Sequence, residues 1–82
     1  MLLSDAIRKR IEELMKSNGL KYVNSLSNLA GISNSLNDFM NGKTELPKID
    51  TILHICEGFE IQLVDFFNSP LFEDVQYEKS KK

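Results

Sequence analysis

Leu26-Ser27-Asn28-Leu29-Ala30-Gly31-Ile32-Ser33-Asn34-Ser35-Leu36-Asn37-Asp38-Phe39-Met40-Asn41-Gly42-Lys43 holds two short apolar-periodic runs joined at a glycine. In the first run Val23, Leu26, Leu29 and Ala30 recur at helical spacing, and Gly31 ends it. Asn24 has the better capping chemistry for its start. In the second run Ser33 is the expected N-cap, Leu36, Phe39 and Met40 are the apolar positions, and Asn41-Gly42 is the stop. Gly31 allows a left-handed turn that a β-carbon would strain. Ser27 is small enough for two helices to cross tightly over it.

Outward from this pair the pattern stays helical. Leu3, Ile7, Ile11 and Leu14 are spaced four, four and three, which makes one face of a first helix. Ser4 is its expected N-cap and Gly19 its stop, while Arg8, Lys9 and Arg10 spread around it as a solvated face. Lys43-Thr44-Glu45-Leu46-Pro47 reads as a loop, because Pro47 biases Leu46 away from helix. Ile49, Ile52, Leu53 and Cys56 form one face of a fourth helix, with Gly58 near its end. A short fifth helix carries Leu63, Phe66 and Phe67 and ends before Asn68-Ser69-Pro70. No period-two strand pattern competes. The chain is expected to be all-α, a five-helix domain over residues 1–69 followed by a tail, 70–82, that packs in part and then frays.

With 82 residues there is room for one core, and 41% hydrophobic with 27% charged residues is ordinary for a folded domain. The single cysteine, Cys56, excludes a disulfide framework, and His54 lies two residues from it on a different helix face, so no metal site is expected. One histidine with no nucleophile–base constellation gives no basis for an enzyme, a cofactor or a small-molecule ligand. The N-terminal stretch has no signal-peptide pattern and no run approaches the ~20 apolar residues a membrane span needs, so a cytoplasmic chain is the expectation. Net charge is −2, divided as +2 over residues 1–22, zero over 23–48 and −4 over 49–82. Any contact with nucleic acid therefore belongs to the N-terminal half.

Two short helices about a glycine turn, with one helix before and two after, suggest a helix-turn-helix. The sequence resembles the lambda-repressor-like (Xre-type) family over about residues 4–67. The matching stretches are Leu26 to Ser33, then Asn41-Gly42-Lys43, then Pro47 followed by Ile49, Thr51-Ile52-Leu53, Ile55-Cys56 and Leu63 through Phe67. The resemblance implies a helix-turn-helix formed by helices 2 and 3, with double-stranded DNA as partner and a recognition helix near residues 33–41 in the major groove. It also implies a sequence-specific transcriptional regulator of the phage or host repressor type, working as a dimer on two half-sites.

On that frame Asn34, Ser35 and Asn37 are candidates to read base edges, since Asn can bond adenine in the major groove. Asn41-Gly42-Lys43 presents amides and an ammonium toward phosphate. Asn24, Ser33 and Thr44 complete the expected DNA-binding set. Asp38 is expected to face water.

The departures are as informative as the matches. Only ten residues separate Gly31 from Gly42, one fewer than is typical of the family, and the segment before Leu26 is one longer. A one-residue deletion turns every later position by about 100° on a helix. Either the turn absorbs it, which keeps Leu36 and Phe39 inward, or Leu36 and Met40 take the core and Phe39 is displaced; the first is the expectation.

Met15 and Met40 stand where the family often pairs Arg with Glu, and are expected to approach each other as an apolar replacement. Val23 stands where the family often has a phosphate-binding Gln. Glu60 occupies a post-helix position that favours Gly. Phe66, Phe67, Leu71 and Phe72 exceed what one small core obviously hides, so they line a dimer contact or the tail folds back over helix five or helix one. The acidic second half, Asp38 and the shortened turn support an alternative function, an antitoxin or adaptor that keeps the fold with little DNA affinity.

Overall fold

Ile7, Ile11 and Met15 fall on successive turns of α1 (Leu3–Ser17) and are all buried, so the spacing of apolar residues becomes one wall of the core. The computed structural model describes residues 1–31, 35–42 and 46–76, with the backbone alone for Asn24, Leu29, Ala30 and Ser35. α1 is followed by α2 (Val23–Ala30), α3 (Ser35–Met40), α4 (Ile49–Phe59) and α5 (Leu63–Phe67), then a 3-10 turn over Pro70–Phe72. Among the described residues the architecture is all-helical, and the one β-type pairing is an isolated parallel bridge between Leu2 and Gln76.

That bridge corrects the expected start of α1. Ser4 does not cap the helix but lies buried inside its first turn, and the N-cap is Leu2, whose side chain has no acceptor. The Leu3 N–H instead donates to the Gln76 carbonyl at 2.9 Å, and the Gln76 N–H donates to the Met1 carbonyl at 3.0 Å. A backbone carbonyl from the tail thus satisfies one of the first-turn amides that have no partner within the helix. At the other end Gly19 is the expected stop. It has φ 73°, and the Leu20 N–H reaches back to the Met15 carbonyl at 2.8 Å, the long bond of a Schellman ending.

α4 buries Ile52, Ile55, Cys56 and Phe59, whereas Ile49 and Leu53 are 60% and 43% exposed. The inward face is therefore turned by about 60° from the one that Ile49, Ile52, Leu53 and Cys56 define, because Ile55 and Phe59 also belong to it. α2 packs against α4 more extensively than against any other element, and Ser27 is buried within α2.

The exit from α4 is strained as expected. Glu60 has φ 61° and ψ 42°, and the Ile61 N–H bonds the Cys56 carbonyl at 2.9 Å, so the chain closes the helix with a glycine-type ending built on a glutamate. Relieving a non-glycine left-handed residue is offset in part by the greater freedom of glycine when unfolded. Glu60→Gly is therefore expected to stabilise the domain by about 0.5–1 kcal/mol, read as a shift in urea midpoint at constant slope.

α5 opens with a reciprocal cap, the Gln62 N–H donating to an Asp65 carboxylate oxygen at 3.1 Å. Its Phe66 is fully buried and meets Phe67 edge-on at 5.0 Å between ring centroids. Phe72 of the 3-10 turn lies 5.0 Å from Phe67 and 6.1 Å from Phe66. The tail thus sets Phe72 beside the α5 rings and returns to the start of α1, while Phe67, Leu71 and Phe72 stay half-buried. The tail folds back against α1 and onto the α5 rings, one of the two arrangements expected of this aromatic surplus.

Candidate nucleic-acid interface

Tyr22 is the N-cap of α2, with extended backbone angles, and makes no side-chain cap bond. Asn24 sits at the second helical position, so it does not provide the cap expected of it, and the N-cap Tyr22 offers no side-chain acceptor in its place. The same holds for α4, whose N-cap is Lys48. A first turn without a side-chain cap leaves amides with a partial positive charge behind them, although in α2 the Ser25 N–H is taken by the Tyr22 carbonyl at 3.0 Å.

α2 ends on Gly31 at φ 71° and ψ 31°, and its N–H bonds the Asn28 carbonyl at 3.3 Å. The chain re-enters helix at Ser35. At the far end of α3 the Gly42 N–H donates to the Phe39 carbonyl at 2.9 Å, and the Asn41 N–H to the Asn37 carbonyl at 3.0 Å. Leu36 and Phe39 are each 1% exposed, Met40 is half-buried, and Asp38 and Asn41 are exposed. Phe39 is therefore not displaced by the shortened connection. Met40 packs from the periphery onto the core cluster that contains Met15, which puts the two methionines in one apolar assembly.

The structure separates the expected DNA-binding residues. Asn37 and Asn41 lie one turn apart along α3 and its end. Asn37 is half-buried and already engaged within the protein, while Asn41 is open to solvent. Asn24 and Ser35 are placed by backbone alone. Ser33, Asn34, Lys43 and Thr44 lie outside the described residues, as does Ile32. Asp38 faces water on the same short helix, so the outward side of α3 carries a carboxylate beside its amides.

Two residues expected on a solvated face are structural. The Arg8 Nε donates to the Phe39 carbonyl at 2.7 Å, its Nη1 pairs with Asp5 at 3.1 Å, and the guanidinium lies 4.6 Å from the centroid of the Phe39 ring. The Arg10 Nε donates to the Phe66 carbonyl at 2.7 Å, its Nη2 to the Asp65 carbonyl at 2.8 Å, and its Nη1 pairs with Glu13 at 3.1 Å. Each guanidinium sits at the C-terminal end of a helix, α3 or α5, where a cation is favoured by the helix dipole. The sequence held one signal for this. Arg8 and Arg10 lie on opposite sides of the apolar stripe of α1, each within about 100° of its centre, where a long side chain can cross onto a neighbouring helix. Their charge is consequently committed within the fold. Lys21 and Lys48, next to the starts of α2 and α4, are exposed.

The remaining polar chemistry is slight. Burial pushes the Cys56 thiol above its ordinary pKa, reinforced by the negative charge of Asp65, which keeps it protonated and inert. His54 is exposed, with its Nδ1 3.5 Å from Glu57. Among the described residues no group of His, Cys, Asp and Glu could hold a metal ion, and no helix is long and apolar enough to cross a membrane.

Similarity to known proteins agrees with this geometry. The sequence matches the Cro/C1-type HTH DNA-binding domain over residues 10–70. The structure is similar to that of the prophage Lp1 protein 11, with a TM-score of 0.76 and 28% identity over 92% of this chain and 100% of that one. No curated protein matches the sequence. The fold is that of a lambda-repressor-like domain, and the chain belongs to the Cro/C1-type helix-turn-helix family of DNA-binding domains.

Proposed function

We propose that this chain is a sequence-specific transcriptional regulator of the repressor type, with the segment 33–41 laid in the major groove of double-stranded DNA. The observation that carries the reading is the phase of α3. Leu36 and Phe39 lock one side of the helix into the core, and that leaves the side with Asp38 and Asn41 outside. In this reading Ser33, Asn34, Ser35 and Asn37 address base edges, while Asn24, Asn41, Lys43 and Thr44 hold the phosphate backbone, aided by the open first turn of α2. The protein works in the cytoplasm as a homodimer on two half-sites one helical turn apart. The exposed Ile49 and Leu53, on one side of α4, offer apolar surface for such a contact.

The test is a fluorescence-anisotropy titration on random duplex at low salt, followed by selection of bound duplexes from a random pool. Binding with a falling log K against log salt supports the regulator, and so does an enriched site. Lys43→Ala is expected to weaken binding to all sequences and to reduce the salt slope by about 0.9, the contribution of one phosphate. Asn37→Ala is expected to change the selected sequence instead.

A second reading is an interaction module, an antitoxin or adaptor, that keeps the fold with little DNA affinity. It is favoured by the exposed carboxylate of Asp38 on α3 and by the −4 charge of residues 49–82. The absence of any binding to random duplex at low salt would select it.

A further inference from the structure

α1 grips two other helices in the same way. Arg8 and Arg10 each donate from Nε to a C-terminal helix carbonyl at 2.7 Å, and each is steadied by a carboxylate of α1 itself at 3.1 Å, Asp5 for one and Glu13 for the other. The two side chains are 21% and 17% exposed, so the bonds are shielded from water on most sides. They differ in what they hold. Arg10 holds α5, which lies outside the helix-turn-helix. Arg8 holds α3 by the carbonyl of Phe39, the residue whose ring fixes that helix in the core, and covers the ring with its guanidinium.

A six-residue helix has little rigidity of its own. Its orientation is set by what locks its ends. Leu36 and the Phe39 ring hold one face of it by apolar packing, which has no directional preference of its own. A guanidinium that stacks on the ring and also bonds the backbone carbonyl of the same residue fixes both position and angle. Lysine cannot reproduce this, since one compact ammonium cannot lie over the ring, donate to the carbonyl and reach Asp5 together.

We propose that Arg8 is a positioning residue for DNA recognition, one that sets the angle of α3 without touching DNA. This rests on the regulator reading, with α3 as the helix that enters the groove. The experiment compares Arg8→Met, Arg8→Lys and Arg10→Met in the full chain, at a temperature where circular dichroism shows all of them folded. Amide exchange is read at Asn41 and Gly42 for α3 and at Asn68 and Ser69 for the end of α5. DNA affinity is read on the duplex selected by the wild-type protein, across a salt series.

Arg8→Met is expected to speed exchange at Asn41 and Gly42 and to raise Kd about tenfold, the size of losing one hydrogen bond from a charged donor. Its salt slope is expected to stay unchanged, because no phosphate contact is lost. Arg8→Lys is expected to recover only part of the affinity. Arg10→Met is expected to speed exchange at Asn68 and Ser69 while Kd changes less than about twofold.

Three results overturn the proposal: an Arg8→Met protein with wild-type affinity, a salt slope reduced by one contact, or an Arg10→Met protein that loses affinity equally. If the wild-type protein binds no duplex, the regulator reading fails instead. Exchange at Asn41 and Gly42 then judges the Arg8 clamp alone, and an Arg8→Met protein with unaltered exchange there overturns it.

Discussion

Phe39→Ala is expected to destabilise the domain by about 3–5 kcal/mol, a large part of the roughly 4–12 kcal/mol that a chain of this length has to lose. The ring is 1% exposed within the core cluster, contributed by a helix of only six residues. Its removal leaves a cavity that the short α3 cannot close without moving, because Leu36 on the same face is equally buried. It also strips the aromatic face from beneath the Arg8 guanidinium. Urea unfolding followed by circular dichroism gives the value. Phe39→Leu should cost far less, as it keeps most of the volume. A loss below about 1.5 kcal/mol for the alanine variant would mean that α3 is dispensable to the core, contrary to its burial.

The same residue shows what the sequence could and could not tell. Leu36 is three residues from Phe39 and four from Met40, so helical spacing allows either partner beside it, and the structure buries Leu36 and Phe39 despite the missing residue in the connection. The apolar spacing of α1 and the glycine endings at Gly19 and Gly31 are legible. Helical periodicity and the left-handed region are local properties, decided within a turn or two of chain.

What the sequence hides is long-range. The Arg8 and Arg10 partners lie 31 and 56 residues away, and a place beside the apolar stripe of α1 shows that each arginine can cross to a neighbour without showing which carbonyl it meets. The start of α1 escapes a local reading because its amide is served by Gln76, from the opposite end of the chain. α4 misleads in another way. Ile49 and Leu53 are apolar without being inside, so counting them with Ile52 and Cys56 turns the face away from Ile55 and Phe59. At the interface itself, side-chain chemistry marks Asn37 and Asn41 equally. Only packing shows that Asn37 is half-buried and Asn41 open.

A graded series at Gly31 tests the turn on which the helix-turn-helix depends. A β-carbon at Gly31 would meet no other described atom within 4 Å, so a substitution there acts through the backbone and not through crowding. At φ 71° an L-residue is strained, asparagine least, alanine more, and a β-branched residue most. Gly31→Asn is therefore expected to cost a few tenths of a kcal/mol, Gly31→Ala about 1 and Gly31→Val about 2 or more. Chemical denaturation orders the three. DNA affinity should follow the same order but fall further than stability at Val. A turn forced toward negative φ alters the angle between α2 and α3, and with it the distance between the amides at the start of α2 and the outer side of α3. Equal costs for alanine and valine would show that the penalty does not grow with β-branching and so does not come from strain in the left-handed turn. An affinity that tracks only the folded fraction would show that the angle between the two helices is not what DNA reads.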